Sequence, residues 1–102
     1  MSIGVGKHLF EGPYTNTNAL RNSSGVYVIH CYFNNAYYLM DVGESANVKE
    51  RVESHDRKDC WNRNCKGTLT VSVLYIPNSQ GEGRRIIEKE IRSQYNPPCG
   101  IV

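Results

Sequence analysis

Hydrophobic and polar positions change character at Gly25. Before it, residues 1–24 show little periodicity, and Asn16-Thr17-Asn18 and Arg21-Asn22-Ser23-Ser24 are polar and turn-rich, so this stretch reads as an irregular N-terminal arm. From Gly25, Val26, Tyr27, Val28 and Ile29, followed by Cys31, Tyr32 and Phe33, are β-branched, aromatic or apolar. Asn34-Asn35 is a turn dipeptide, and a second run from Tyr37 to Val42 is closed by Gly43, which together predict a β-hairpin. Ser45 is a suitable N-cap for a short amphipathic helix over residues 46–56, with Val48 and Val52 on one face and Asn47, Arg51 and His55 on another. The charge-dense stretch from Asp56 to Lys66 reads as a loop. Alternation from Thr68 to Ile76 predicts a third strand that Pro77 ends. Gly81 and Gly83 precede a second helix to about Tyr95, with Ile87, Ile91 and Tyr95 as its buried stripe, and Asn96-Pro97-Pro98 stops it.

The predicted order β-β-α-β-α makes residues 25–102 a small α/β (α+β) domain, a three-stranded sheet, mixed or antiparallel, flanked by helices. A chain of 102 residues is one domain, able to bury roughly 60–70% of its unfolded surface. It has no apolar run near the ~20 residues a bilayer crossing needs, and no basic stretch leading into an apolar segment at Met1. A cytoplasmic protein without a membrane partner is expected. On that expectation the four cysteines, Cys31, Cys60, Cys65 and Cys99, form no disulfide framework. A formal net charge of +2 does not announce nucleic acid by itself, so the positions of the charges must carry any such reading.

Gly25-Val26-Tyr27 on the first predicted strand and Asp41-Val42-Gly43 ending the second resemble the paired tripeptides of the GIY-YIG nuclease superfamily. The helix beginning Ala46-Asn47-Val48, with Arg51 and then His55 four residues on, is similar to that family's next motif. Ile86-Ile87-Glu88, followed by Pro97, is similar to the helix carrying the family's metal-binding glutamate. Two positions depart from the pattern: Asp41 stands where the family usually has tyrosine, and Gly100 where it commonly has asparagine.

The resemblance implies a metal-dependent endonuclease, a hydrolase of DNA phosphodiester bonds. Such cleavage needs an activated water, neutralisation of charge on the phosphate oxygens and help for the leaving oxygen. Glu88 would hold one Mg2+ or Mn2+, and Arg51 would clamp a phosphate oxygen through its planar fork of donors. Tyr27 would orient or deprotonate the attacking water, and His55 would accept or relay that proton. Asp41 would add a carboxylate beside the metal or accept a hydrogen bond from Tyr27. Each residue also has a plain structural reading: Tyr27 as core, Asp41 as a turn former, His55 at a helix C-terminus, and Arg84-Glu88-Arg92 as an i,i+4 ion-pair ladder.

DNA is the expected partner, and RNA presents the same phosphates. Arg57, Lys58, Arg63 and Lys66 surround Trp61, so they would track a phosphate backbone while the indole stacks on a base; the alternative is a solvated loop with Trp61 covering the core edge. Arg84, Arg85 and Arg92 on the last helix would extend this basic surface. Two other functional readings stand beside the nuclease. One is a catalytically inactive module of the same fold that binds nucleic acid or protein. The other is an adaptor held by structural zinc, since His55, Cys60, Cys65 and Cys99 offer one imidazole and three thiolates.

Overall fold

In the computed structural model, which describes residues 1–77 and 81–100, Asn34 and Asn35 have φ of 52° and 62°. Those are the paired left-handed residues that let a two-residue loop follow the twist of its strands. β3 (Gly25–Phe33) and β4 (Ala36–Ser45) therefore close into the hairpin that the apolar runs predict. β5 (Thr68–Tyr75) pairs antiparallel with β3 on its other side. The helices are α1 (Val48–Glu53), α2 (Lys58–Asn64) and α3 (Glu82–Tyr95). At the end of α3, Asn96 takes a left-handed conformation and its N–H returns to the Arg92 carbonyl, while Pro97 prevents another turn.

The sheet is larger than the three strands expected. β1 (Ser2–Val5) and β2 (His8–Tyr14) form a second hairpin, and β2 pairs with β5, giving a five-stranded antiparallel sheet in the order β1-β2-β5-β3-β4. Residues 1–24 are thus not an irregular arm. Val5 and Phe10 are buried with Val26, Val28, Val42 and Ile91 in the core under α3. Two more elements differ from expectation. α1 begins later, because the side chain of Asn47 and not Ser45 caps it, accepting from the Glu50 N–H. The charged stretch after it is not loop throughout, since α2 forms there and buries Trp61.

β3 is covered on both faces. Tyr27, Ile29 and Cys31 point with Val71 and Val73 toward Val48 and Val52 of α1 and Trp61 of α2. Val26 and Val28 point the other way, toward Ile91 of α3. A bulge in β4 sets the register of the site: Ile29 pairs with Asp41 and His30 with Leu39, so Met40 is the extra residue. The bulge aims Asp41 at the Trp61 face while Val42 stays in the opposite core.

The cysteines also correct the sequence reading. Cys31–Cys65 and Cys60–Cys99 are disulfides, with Cα separations of 5.5 and 5.9 Å, inside the roughly 4.4–6.8 Å that the bond requires. The partners are far apart in sequence and meet only because α2 and the segment after α3 pack on the same face. The expectation that the cysteines form no disulfide framework falls with them. So does the zinc set, because Cys60, Cys65 and Cys99 belong to two different disulfides. Among the described residues no helix is long and apolar enough to cross a membrane.

Candidate active site

Tyr27 and Gly43 are cross-strand partners in the hairpin, and the phenol ring lies over the glycine. A Cβ at residue 43 would stand 2.3 Å from the Tyr27 hydroxyl oxygen and 2.4 Å from Cζ. Tyr27 is only 1% exposed, so the ring has nowhere to retreat. Gly43→Ala is therefore expected to cost roughly 1–3 kcal/mol or more by overpacking, read as a lower denaturation midpoint. An unchanged midpoint would mean the ring moves aside freely.

The Tyr27 hydroxyl is 2.7 Å from His55 Nε2. His55 follows α1 and is buried, and its Nδ1 accepts the backbone N–H of Arg57 at 3.0 Å. A neutral imidazole carries one proton, so an amide donating to Nδ1 leaves Nε2 as the protonated nitrogen. Burial, with Arg51 and Arg57 nearby, pushes His55 down to about 4, so it is neutral near pH 7. His55 accordingly donates to the phenol oxygen, and the imidazole lone pair is not available to take the phenol's proton. The expected relay through His55 is replaced by an orienting hydrogen bond. Burial pushes Tyr27 up to about 12, against the pull of Arg51 and Arg57. At neutral pH it is a phenol whose own proton is free to be donated.

Asp41 is the best-connected group of the site. It is fully buried, and its oxygens accept from Arg57 Nε at 2.8 Å, Trp61 Nε1 at 2.8 Å, Arg92 Nη2 at 3.0 Å and the Val42 N–H at 2.8 Å. β4 is the sheet edge, which lets Arg92 of α3 reach round from the other face. No hydrogen bond joins Asp41 to Tyr27 among the described residues, contrary to one of its two expected roles. The other, metal contact, is opposed by the same four donors. Trp61 spends its N–H here and is 4% exposed, so its indole is not offered to a nucleobase.

Glu88 lies above this centre, half-buried, with its carboxylate 3.7 Å from Arg92 Nη2. Burial raises its carboxyl above the usual range, opposed by Arg92. It lines an open cleft of 520 Å³ with Arg57, Arg85, Lys89, Arg92 and Asn96. Tyr27 feels the charges of Arg51, Asp41, Arg57 and Glu88, which puts groups from β3, β4, α1, α3 and the loop after α1 in one electrostatic neighbourhood. Arg51 pairs with Asp56 at 3.3 Å and borders a separate shallow depression beside Asn47 and Glu50. Of the basic residues expected to follow a phosphate backbone, Arg57, Arg85 and Arg92 line the Glu88 cleft. Lys58, Arg63 and Lys66 are exposed around α2, and Arg84 is 7% exposed and bonded to Glu44 at 3.1 Å. Arg92, expected on this basic surface, lines the cleft, whereas Lys89 and Asn96 were not expected there. Their spacing on α3 with Glu88 and Arg85 was the available signal, but a ladder of ion pairs explained it equally well.

No protein family, curated protein or solved structure matches this chain. The residues themselves must therefore carry the functional reading. For a divalent ion the described residues offer no cluster of three or more His, Cys, Asp or Glu. Among the described residues, Glu88 is the one carboxylate that lines the cleft. One carboxylate with waters and a substrate phosphate is a sufficient shell for Mg2+, so the residues fit a cation held together with substrate and do not fit one held without it.

Proposed function

We propose that the domain is a metal-dependent endonuclease of the GIY-YIG type that hydrolyses DNA. The observation that carries this reading is an open cleft lined by Glu88, Arg57 and Arg92, with the buried Tyr27–His55 hydrogen bond within electrostatic reach of Glu88 and Arg57. Glu88 would hold the divalent ion against a substrate phosphate. The ion, when bound, supplies charge neutralisation at the phosphate oxygens and polarises water. His55 fixes the phenol oxygen of Tyr27, which would leave the Tyr27 proton for an acceptor in the reaction. Arg57 and Arg92 supply positive charge along the cleft, and Arg51 stands near enough to act on Tyr27 through space.

The depth of Tyr27, at 1% exposed, favours a second reading: the same cleft binding nucleic acid without cutting it. Plasmid incubated with Mg2+ or Mn2+ separates the two. The nuclease reading expects nicking that Glu88→Ala lowers by about 10²–10³-fold. Equal cleavage by the variant would defeat the assignment of Glu88, and binding without any cleavage would establish the non-catalytic module. An RNA transcript run in parallel identifies the polymer.

A further inference from the structure

Asp41 is buried beneath the Glu88 cleft but does not line it; the two arginines it holds do. Arg57 gives Asp41 its Nε and, at 3.4 Å, its Nη2. Arg92 spends Nη2 on Asp41 and the Val42 carbonyl, and Nη1 on the Cys99 carbonyl at 2.9 Å. Arg57 Nη1 and Arg92 Nε keep their N–H groups without a partner among the described residues. Their side chains are 30% and 23% exposed, and both residues line the cleft.

We propose that Asp41 is a positioning residue that holds Arg57 and Arg92 as a two-guanidinium receptor for a phosphate in the Glu88 cleft. A guanidinium fork matches phosphate oxygens, and a side chain already held by a buried carboxylate loses little freedom when a ligand arrives. One carboxylate between two guanidiniums leaves a net charge of +1, to which Arg85 and Lys89 on the cleft wall add. Glu88 faces the same space and opposes a phosphate when no cation accompanies it. Gly100 lines the cleft beside the receptor: a Cβ there would stand 2.8 Å from Asp41 Oδ1 and 2.9 Å from both terminal nitrogens of Arg92. The assignment moves the phosphate contact from Arg51, which is engaged with Asp56, to Arg57 and Arg92.

This inference deepens the nucleic-acid reading and rests on it for the identity of the ligand, but the receptor itself is testable with phosphate alone. The first measurement is titration of the oxidised full chain with inorganic phosphate in EDTA, following the Arg Nε–Hε signals by NMR. Arg57 and Arg92 should shift together and saturate, and absence of shifts at both overturns the receptor. The second is binding of a labelled DNA oligonucleotide in EDTA, which removes hydrolysis from the comparison. Asp41→Asn deletes a negative charge, so simple charge counting predicts tighter binding; loss of positioning predicts affinity weaker by roughly tenfold. Tighter or unchanged binding by Asp41→Asn overturns the proposal. Should that variant not fold, Arg57→Lys keeps the charge and removes the fork: a roughly tenfold loss supports the receptor, and unchanged affinity overturns it. Phosphate shifts without oligonucleotide binding would keep the receptor and remove nucleic acid as its ligand, while oligonucleotide binding without shifts at Arg57 and Arg92 would do the reverse.

Discussion

Reducing both disulfides is expected to remove about 5–8 kcal/mol of stability, enough to leave the domain marginal or unfolded at room temperature. The bonds close loops with sequence separations of 34 and 39 residues, each worth roughly 4 kcal/mol by loop-closure entropy. The loops overlap between residues 60 and 65, so the combined effect falls short of the sum. A chain this small typically has about 5–15 kcal/mol in total. The comparison is a denaturant midpoint for the oxidised protein against the protein kept in excess thiol; coincident curves would contradict the expectation. The two bonds should also separate by variant. Loss of Cys31–Cys65 opens the core face, where Cys31 is 3% exposed. Loss of Cys60–Cys99 frees the segment whose Cys99 N–H donates to the Met40 carbonyl and whose Cys99 carbonyl accepts from Arg92. A Cys60→Ser, Cys99→Ser protein should therefore lose a comparable share of stability, since Cys99 is fully buried and its loop is as long, and should also show weaker binding at the proposed phosphate receptor.

The elements legible in the sequence were those whose apolar positions repeat without interruption. Gly25 to Val42 reads as a hairpin because its strands are β-branched and aromatic on both sides of an Asn-Asn turn, and Ile87 and Ile91 mark α3 by their spacing. β1 and β2 were hidden because Gly4, Gly6, Gly12 and Pro13 interrupt a pattern in which only Val5 and Phe10 are large, apolar and buried. They become strands by pairing with β5, a gain local sequence does not encode. α2 is seven residues long and has no side-chain cap, so it too depends on what it covers. Tyr95, expected in the buried stripe of α3, is instead 48% exposed and accepts the Gly6 N–H through its hydroxyl. At the site, the spacing of Arg51 and His55 was visible, but the backbone amide that fixes the His55 tautomer depends on the turn after α1. The burial of Asp41 depends on a bulge, which no residue type at position 40 announces.

Acidification should then act on the same buried groups, with stability falling as the pH drops from about 6.5 to about 4. Burial pushes His30 down to about 4, and burial with the neighbouring Arg51 and Arg57 does the same for His55. The unfolded chain titrates these rings near 6.5, so between the two values it binds protons that the folded chain refuses, and stability rises with pH across that window. The contribution is complete above about 6.5, is lost progressively on the way down, and changes no further below about 4. Each ring accounts for about 3 kcal/mol over the window, and the two together for about 6 kcal/mol. Asp56, held low by its own backbone and by His55 and Arg51, adds in the same direction at the lower end, while Glu88, raised by burial, opposes it. His30 makes the sharper test. Its Nδ1 is buried with no hydrogen-bond partner among the described residues, and its ring packs edge-on against Tyr37, away from the site. His30→Leu should flatten about half of the pH dependence, cost little stability at pH 7.5 and leave the proposed phosphate receptor intact. His55→Gln should flatten the other half and also release the Tyr27 hydroxyl. Denaturant midpoints at pH 7.5 and 4.5 measure both effects, and a pH dependence unchanged in the two variants would show that other groups drive the acid transition.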